Sequence, residues 1–363
     1  MTTRVGTVLA SKYRLDEELG RGGMGAVYRA VHLLVRKEFA IKVLTAEGAE
    51  HKEIGARFQL EAQAAGRIGH PGILEVYDLG EDDEGRPFIV MELLRGEPLS
   101  ALVRRGPVDV DTAVWIAVEV LDVLEAAHAA GVVHRDVKPQ NVFLVEAPGG
   151  RRTVKLLDFG IAKFHDKDGA TLTRSGQIIG SPLYMAPEQA RGETEIDARV
   201  DVWSVGAMLF EMLTGRAAHV ASTPIAVLAK VLTEPVPPPS RARTGVPAEI
   251  DAAVARALRI DRQERFPSAL AFADALRAVR PRPDTTPVFA ALPAPSERAA
   301  AAPIDPEADT STASEAPRAV TSSAAEPPLE AAVTQAAETK RTAPLLAGLA
   351  LGERRVAAAA PRL

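Results

Sequence analysis

Residues 134–141 read HRDVKPQN and residues 158–160 read DFG, and these two stretches decide the fold of the 363-residue chain. Between them, Pro148-Gly149-Gly150 is typical of the turn of a β-hairpin. A hairpin here folds the chain back on itself. The sequence therefore predicts that two aspartates and one asparagine from these stretches lie close together.

These residue types match what phosphoryl transfer requires. The reaction needs a carboxylate that orients the attacking hydroxyl, oxygen ligands for Mg²⁺ and a cation near the developing negative charge. Asp136 suits the first role, Asn141 and Asp158 suit the second, and Lys138 suits the third. The alternative, that the aspartates only form turns and cap helices, does not account for the spacing and the neighbouring residues together.

A glycine-rich stretch, GRGGMGAV at residues 20–27, follows the pattern G-x-G-x-x-G-x-V. A dinucleotide-binding fold would place a helix directly after the last glycine, whereas VYRAV at residues 27–31 continues as a strand. The stretch therefore favours a glycine flap over phosphates. From this motif alone, an ordinary hairpin turn is the alternative.

The rest of the sequence predicts an α+β fold with a small β-rich lobe at about 13–92, a larger helical lobe at about 97–280 and a cleft between them. Residues 1–12 are predicted to be an N-terminal extension. The first lobe contains one predicted helix, near 56–68, and in the second, residues 201–213 are apolar nearly all round, as expected of a central buried helix. The predicted strands are Tyr13–Leu19, Ala26–Val31, Phe39–Val43 and Phe88–Met91.

After about Arg280 the composition changes to Ala, Pro, Ser, Thr and Glu with almost no aromatic residues. Such a segment buries too little apolar surface to offset about 1–2 kcal/mol per residue of backbone ordering. Residues 281–363 are therefore predicted to form an Ala/Pro-rich disordered tail.

The composition limits the kinds of site and the kinds of partner that this protein can have. The absence of cysteine excludes disulfides, thiol nucleophiles and Cys-ligated metals. The formal net charge of -5 gives no reason to expect a nucleic-acid partner. No signal peptide and no apolar run of about 18–20 residues is present, so we expect a cytoplasmic protein without a membrane span. A membrane helix following the tail in a longer protein remains an alternative.

Over roughly residues 10–280 the chain resembles the Hanks-type, eukaryotic-like serine/threonine protein kinases of bacteria. Further stretches carry the resemblance: AIK at 40–42, APEQ at 186–189, DVWSVG at 201–206 and ERFPS at 264–268. The resemblance implies a bilobal protein-kinase-like fold. It also implies transfer of the γ-phosphoryl group of ATP to Ser/Thr hydroxyls of proteins, with Mg²⁺, or Mn²⁺ in its place.

The same resemblance implies roles for residues of the cleft. Lys42 contacts phosphates and is held by Glu61, Glu188 pairs with Arg265, and the adenine lies above Phe143. The implied nucleotide-binding residues are Leu19, Gly20, Gly22, Gly25, Val27, Ala40, Lys42, Met91, Glu92, Leu94 and Phe143.

Substrate class and regulation are implied in the same way. Lys138, together with GSPLYM at 180–185, is similar to serine/threonine rather than tyrosine kinases, although the family more often has Thr where Ser181 stands. Arg135, directly before Asp136, marks kinases that are regulated through the segment from Asp158 to Glu188. The implied sites of autophosphorylation between two copies are Thr173 and Ser175, with Thr171 the next candidate.

A pseudokinase and a small-molecule kinase are the two alternatives to this function. A pseudokinase that acts as an ATP-binding scaffold usually lacks one of the residues named above, and here Lys42, Glu61, Asp136, Asn141 and Asp158 are all present. A small-molecule kinase of related fold conflicts with the Ala-Pro-Glu stretch, which serves peptide substrates.

Overall fold

The computed structural model describes residues 4–22, 25–44, 52–158 and 182–280. Within these ranges, the side chains of residues 52–54, 56, 57 and 61 are not described. The predicted tail, 281–363, lies outside the described residues.

An antiparallel sheet of six strands forms the N-terminal lobe, in the spatial order β1-β2-β3-β4-β6-β5. The strands are β1 (Val8–Leu9), β2 (Tyr13–Gly22), β3 (Gly25–His32), β4 (Glu38–Leu44), β5 (Val76–Glu81) and β6 (Pro87–Met91). The four predicted strands, β2, β3, β4 and β6, are confirmed, and β1 and β5 are additional. The sheet begins within the segment 1–12, because Leu9 pairs with Tyr13 and is buried in the core.

The two faces of this sheet have different tasks. Alternate residues of a strand point to opposite faces, and residues directly opposite on neighbouring strands share a face. The register pairs Lys42 with Val27 on one side and with Ile89 on the other, and pairs Ala40 with Met91, so these five residues share the face toward the cleft. The other face buries an apolar core of Leu9, Tyr13, Leu15, Ala26, Tyr28, Ala30, Phe39, Ile41, Val43, Phe88 and Val90.

Helix α1 (Lys52–Ile68) packs on the cleft side of the sheet. Phe58 and Ala62 from the helix form a small buried cluster with Leu44 and Ile89. The helix starts four residues earlier than the predicted Ala56, within a stretch of polar residues. Its packing fixes the helix next to the strand that carries Lys42.

The C-terminal lobe is helical, and its helices surround α5. They are α2 (Leu99–Val103), α3 (Val110–Ala129), α4 (Pro187–Ala190), α5 (Arg199–Thr214), α6 (Pro224–Thr233), α7 (Ala248–Ala257) and α8 (Ala269–Val279). Every residue of α5 from Val200 to Phe210 is buried, which confirms the predicted central helix. Gly206 permits the close approach of α7, since a Cβ atom at this position would lie 2.8 Å from the Cβ of Ala257. No described helix has both the length and the apolar character needed to cross a membrane.

A sheet of three strands lies between the helical core and the cleft. It consists of β7 (Gly96–Pro98), β8 (Val142–Ala147) and β9 (Arg151–Leu156), in that order. The predicted hairpin between β8 and β9 is confirmed, and its turn holds Gly149 at φ +78°, a conformation that favours glycine. This hairpin places the end of β9, and thus Asp158, beside the loop that precedes β8.

Candidate functional site

The backbone of the loop before β8 is fixed by a buried carboxylate of helix α5. The Asp201 side chain accepts the N–H of His134 at 2.9 Å and the N–H of Arg135 at 2.8 Å. Arg135 has φ +66°, a left-handed conformation that costs a non-glycine residue on the order of 1–3 kcal/mol. These two hydrogen bonds, donated to a fully buried carboxylate, hold the loop in this conformation.

His134 connects this loop to Leu157, the residue that follows strand β9. Its Nε2 lies 3.0 Å from the carbonyl oxygen of Leu157, and its Nδ1 accepts the N–H of Asp136 at 3.2 Å. This pattern requires a neutral ring with the proton on Nε2. Complete burial lowers the pKa of His134 despite the nearby carboxylates of Asp201 and Asp136, so the ring stays neutral and continues to accept.

The Asp136 carboxylate is oriented by two neighbours in the same loop. Its Oδ2 lies 3.2 Å from Lys138 Nζ and accepts from Asn141 Nδ2 at 3.1 Å. Asn141 Nδ2 also donates to the Asp136 carbonyl at 2.8 Å. Asp136, Lys138 and Asn141 thus form one hydrogen-bonded group, as the spacing in the sequence predicts.

Asp158 lies beside this group at the end of strand β9. The N–H of Leu157 donates to the Asn141 carbonyl at 2.8 Å, which brings Asp158 and Asn141 together. The Asp158 carboxylate accepts from Lys42 Nζ at 2.9 Å, across the cleft between the lobes. The Asp158 side chain is 52% exposed. Partial desolvation raises the pKa of its carboxyl, but the charge and hydrogen bond of Lys42 outweigh this and hold the pKa below its ordinary value.

The donor set of the site fits a hard divalent cation that also binds phosphate. Among the described residues no group of three or more His, Asp or Glu side chains forms a metal site by itself. Asp158 and Asn141 offer carboxylate and amide oxygens, which are the ligand types of Mg²⁺. Since Mg²⁺ is usually bound by one or two carboxylates together with substrate phosphates, this pair is sufficient.

An apolar recess adjoins the Lys42–Asp158 pair. Three of its lining residues, Lys42, Met91 and Asp158, are predicted site residues. The others are apolar and were not predicted: Ala62, Ala65, Ile73, Leu74, Val76, Ile89 and Leu156. Apolar side chains of this kind cannot be told from ordinary core residues in a sequence.

The segment that connects the lobes starts with Glu92. Its N–H donates to the Glu75 carbonyl at 3.0 Å, and its carboxylate accepts the Glu75 N–H at 2.8 Å and contacts Lys155 of β9. Within the part of the chain that the structure describes, the N–H of Leu94 donates to no acceptor. A backbone donor at the edge of the cleft can bind a purine base.

Phe143 and the glycine-rich hairpin are further predicted contacts of the nucleotide. Phe143 is partly exposed between the buried Val142 and Leu144, so it points away from the helical core. In the hairpin Gly20 pairs with Val27, and Gly22 pairs with Gly25. A Cβ atom on Gly25 would lie 2.5 Å from the Val43 carbonyl oxygen, so contact with β4 already requires this glycine. Contacts of these residues, and of Leu19, with phosphates or adenine stay predictions.

The predicted pair of Glu188 and Arg265 is confirmed. The two terminal nitrogens of the Arg265 guanidinium, Nη1 and Nη2, each donate to the Glu188 carboxylate at 2.7 Å. Both side chains are almost completely buried. The pair anchors helix α4, which follows the segment that contains the predicted phosphorylation sites.

Several predicted residues lie outside the part of the chain that the structure describes. The side chain of Glu61 lies outside the description, although its backbone is part of helix α1. The other predicted residues outside the described ranges are Phe159, Gly160, Thr171, Thr173, Ser175 and Ser181. The expected contact between Lys42 and Glu61 therefore stays a prediction, and Asp158 is the partner of Lys42 that the structure describes.

Three polar residues lie at the site without having been predicted there. Asp201 carries the loop backbone, Lys155 contacts Glu92, and Gln189 donates to the Arg135 carbonyl at 2.9 Å. The signal for Asp201 was present, since a single acid opens an otherwise apolar helix. Lys155 and Gln189 have no such local signal.

Comparison with a family model matches residues 13–271 to the protein kinase domain. Two relatives come from Myxococcus xanthus. The serine/threonine-protein kinase pkn3 is 40% identical over 291 residues, covering 78% of this chain and 53% of that protein. The serine/threonine-protein kinase Pkn1 is 41% identical over 270 residues, covering 74% of this chain and 38% of that protein. The chain thus spans about half or less of the length of these relatives.

A similar architecture occurs in a solved structure. The kinase domain of PknI from Mycobacterium tuberculosis aligns with a TM-score of 0.59 and 30% identity, covering 76% of this chain and 99% of that one. The likeness extends over both lobes, and it agrees with a β-rich N-terminal lobe followed by a helical C-terminal lobe.

Proposed function

The chain belongs to the protein kinase family, and on this basis we propose that it is a serine/threonine protein kinase that transfers the γ-phosphoryl group of ATP to proteins. One observation carries the proposal. The hydrogen-bonded group of Asp136, Lys138 and Asn141 lies beside the Lys42–Asp158 pair, so base, cations and metal ligands line one cleft. The names of the relatives support the choice of Ser/Thr as acceptors.

Asp136 is the residue that orients the attacking hydroxyl and accepts its proton. Lys138, 3.2 Å from the Asp136 carboxylate, supplies a positive charge next to the position where the phosphoryl group passes. Asn141 donates to Asp136 through Nδ2, which leaves its amide oxygen for a metal. The three side chains therefore divide orientation, charge and metal binding among them.

Asp158 and Asn141 hold Mg²⁺, or Mn²⁺ in its place, and Lys42 binds the phosphates of ATP. When bound, the metal neutralises phosphate charge and thereby favours attack. Lys42 and Asp158 contact one another at 2.9 Å, and both groups belong to the phosphate and metal contacts. With nucleotide bound, Lys42 would contact the phosphates and Asp158 would hold the metal.

The adenine base occupies the cleft next to Leu94, whose N–H has no acceptor among the described residues. Val27 and Ala40 lie above the base and Phe143 lies below it. Leu19, Met91 and Glu92 border the base, and Gly20, Gly22 and Gly25 cover the phosphates. The shared face of Val27, Ala40 and Met91 in the sheet supports this arrangement.

Glu61 positions Lys42, and Thr173 and Ser175, with Thr171 next, are autophosphorylated in trans when two copies associate. The domain, residues 13–280, acts in the cytoplasm, where ATP is available, and the segment 281–363 is not required for catalysis. Its partners are proteins with accessible Ser or Thr, and the net charge of -5 does not favour nucleic acid.

The test is transfer of radiolabelled phosphate from ATP in the presence of Mg²⁺ to the protein itself and to a generic basic protein. We expect labelled phosphoserine and phosphothreonine without phosphotyrosine, and loss of labelling when EDTA removes the metal. Nucleotide binding without any transfer would instead indicate a pseudokinase. Transfer only to small molecules would also contradict the proposal.

A further inference from the structure

Gln189 is a buried amide in helix α4 that none of the roles above uses. Only 1% of the residue is exposed. Its Nε2 donates to the Arg135 carbonyl at 2.9 Å, and its Oε1 accepts the N–H of Ala186 at 3.0 Å. One side chain therefore joins the start of α4 to residues 134–141, the loop before β8 that carries Asp136 and is called the catalytic loop below.

We propose that Gln189 is a positioning residue for Asp136, an inference that rests on the proposed kinase function. The Arg135 carbonyl belongs to the peptide group that connects Arg135 to Asp136. The N–H of the same peptide group donates to His134 Nδ1 at 3.2 Å. The peptide is thus held at both of its polar ends, by Gln189 on one side and by His134 on the other, and its orientation sets the direction of the Asp136 side chain.

The conformation of Arg135 explains why a second restraint is needed. With φ +66° the residue sits in a region that a side chain disfavours. The N–H of Arg135 donates to Asp201 at 2.8 Å, and the carbonyl of Arg135 accepts from Gln189 at 2.9 Å. Without the restraint on the carbonyl, only the hydrogen bond from the Asp136 N–H to His134 holds this peptide, and the peptide can shift toward a relaxed conformation.

The chemistry of the contact selects a carboxamide. The group must donate to a carbonyl and accept from an N–H at the same time, and its orientation follows from these two partners. An ionised carboxylate only accepts, and a thioether of similar length does neither effectively. Glutamine also satisfies a backbone N–H at the start of the helix, in the way an N3 glutamine does in a capping box.

The position of Gln189 also links Asp136 to the segment that ends at Glu188. Glu188 is fixed to Arg265 by two hydrogen bonds of 2.7 Å, so α4 is a firm support for the amide. A shift of α4 therefore moves the peptide before Asp136. Through Gln189, the geometry of the catalytic loop depends on the Glu188–Arg265 pair, which fixes the end of the segment from Asp158 to Glu188.

The first test replaces the amide in the full-length protein. In Gln189→Met, kcat for phosphorylation of a generic basic protein is expected to fall by about 10- to 100-fold, the scale of a small misplacement of a reacting group. The KM for ATP should change by less than about twofold, because Arg135 and Ala186, to which Gln189 is hydrogen-bonded, are not among the residues assigned to the nucleotide. Thermal melting and binding of a fluorescent ATP analogue report whether the variant is folded.

A second variant separates positioning from packing. In Gln189→Glu the charged form accepts from Ala186 but repels the Arg135 carbonyl, whereas the protonated form donates to it. Burial raises the pKa of such a carboxyl. The kcat of this variant, divided by that of the parent at the same pH, should therefore rise as the pH is lowered from about 8 to 6. The matched control is Gln263→Glu at an exposed position, whose ratio should stay near one at every pH.

The outcomes distinguish this inference from the proposed function. An inactive parent protein contradicts the kinase assignment itself. If the parent is active, a Gln189→Met variant with parental kcat overturns the inference. So does a Gln189→Glu ratio that is independent of pH. If Gln189→Met fails to fold, the pH dependence of the Gln189→Glu ratio alone decides.

Discussion

Glu188 and Arg265 are 77 residues apart in the sequence and form a buried ion pair with two N–O distances of 2.7 Å. The Arg265 guanidinium also donates to the carbonyls of Arg259 at 2.8 Å and Arg199 at 3.1 Å. Its plane lies over the ring of Trp203, 5.1 Å from the centroid. The pair therefore connects helix α4, the centre of α5 and the loop before α8.

Arg265→Met is expected to lower the free energy of unfolding by about 3–5 kcal/mol, because the Glu188 carboxylate is left buried without its partner. Urea denaturation followed by fluorescence measures the change. The double variant Glu188→Leu with Arg265→Met should recover a large part of the loss, since no buried charge remains. Arg259→Met, which removes an exposed partner of Glu264, is the control and should cost less than about 1 kcal/mol. Equal losses in Arg265→Met and Arg259→Met would contradict this account.

Asp136→Asn is expected to reduce phosphate transfer by about 10²–10⁴-fold while ATP binding stays near that of the parent. The reason is that Asp136 contacts Lys138 and Asn141 and orients the hydroxyl, and it is not assigned to the nucleotide. Transfer of labelled phosphate and binding of an ATP analogue are measured side by side. Asp274→Asn, at an exposed position on α8, serves as the control. Parental transfer by Asp136→Asn rules out the assigned role.

Asp158→Asn should weaken the binding of ATP in the presence of millimolar Mg²⁺ and leave the weaker metal-free binding almost unchanged. The substitution removes a charged metal ligand, while the amide keeps the shape of the side chain. Titration of the nucleotide at several Mg²⁺ concentrations measures both effects. If the parent and the variant show the same dependence on Mg²⁺, Asp158 is not a metal ligand.

The free energy of unfolding of the C-terminal lobe should depend on pH through His134. Burial lowers the pKa of His134 in the folded protein below the ordinary value of 6.5, so the unfolded chain binds the proton more readily. Stability from this group is complete above pH 6.5 and is lost as the pH falls below it, with a limiting slope of about 1.4 kcal/mol per pH unit. Denaturation of the parent and of His134→Gln between pH 7.5 and about 5 measures the slope. A slope that is equal in both proteins argues against this source of acid sensitivity.

Local patterns in the sequence were sufficient for most of the fold. Alternating apolar residues predicted β2, β3, β4 and β6, and a run that is apolar all round predicted α5. Strand β5 was not predicted because its residues, VYDLGE, contain Asp and Gly, and most of them are exposed in the structure. It pairs with β6 at the edge of the sheet, where the backbone rather than buried side chains decides the conformation.

The site could be predicted where one motif contains the contacts, and not where distant residues meet. Asp136, Lys138 and Asn141 lie within six positions, and their hydrogen bonds follow from that spacing. Gln189 and Arg135 are 54 positions apart, and the contact depends on how α4 packs against the catalytic loop. A buried amide such as that of Gln189 leaves no periodic or compositional trace in the sequence, because its partners are backbone groups.

The predicted control of activity rests on Thr173 and Ser175, which lie outside the described residues, and on Arg135, which directly precedes Asp136. A phosphate adds about -1.5 to -2 charges and three acceptor oxygens, and it can therefore recruit Arg135 and order the segment that receives a peptide. Mass spectrometry of the active protein should find phosphate at one or both positions. Thr173→Ala with Ser175→Ala should reduce substrate phosphorylation at least several-fold without a change in melting temperature. The matched control removes two hydroxyls from the segment after residue 280, by Ser322→Ala with Ser323→Ala, and should keep parental activity. Full activity of the first double variant would show that activation does not proceed through these hydroxyls, even if the protein is a kinase.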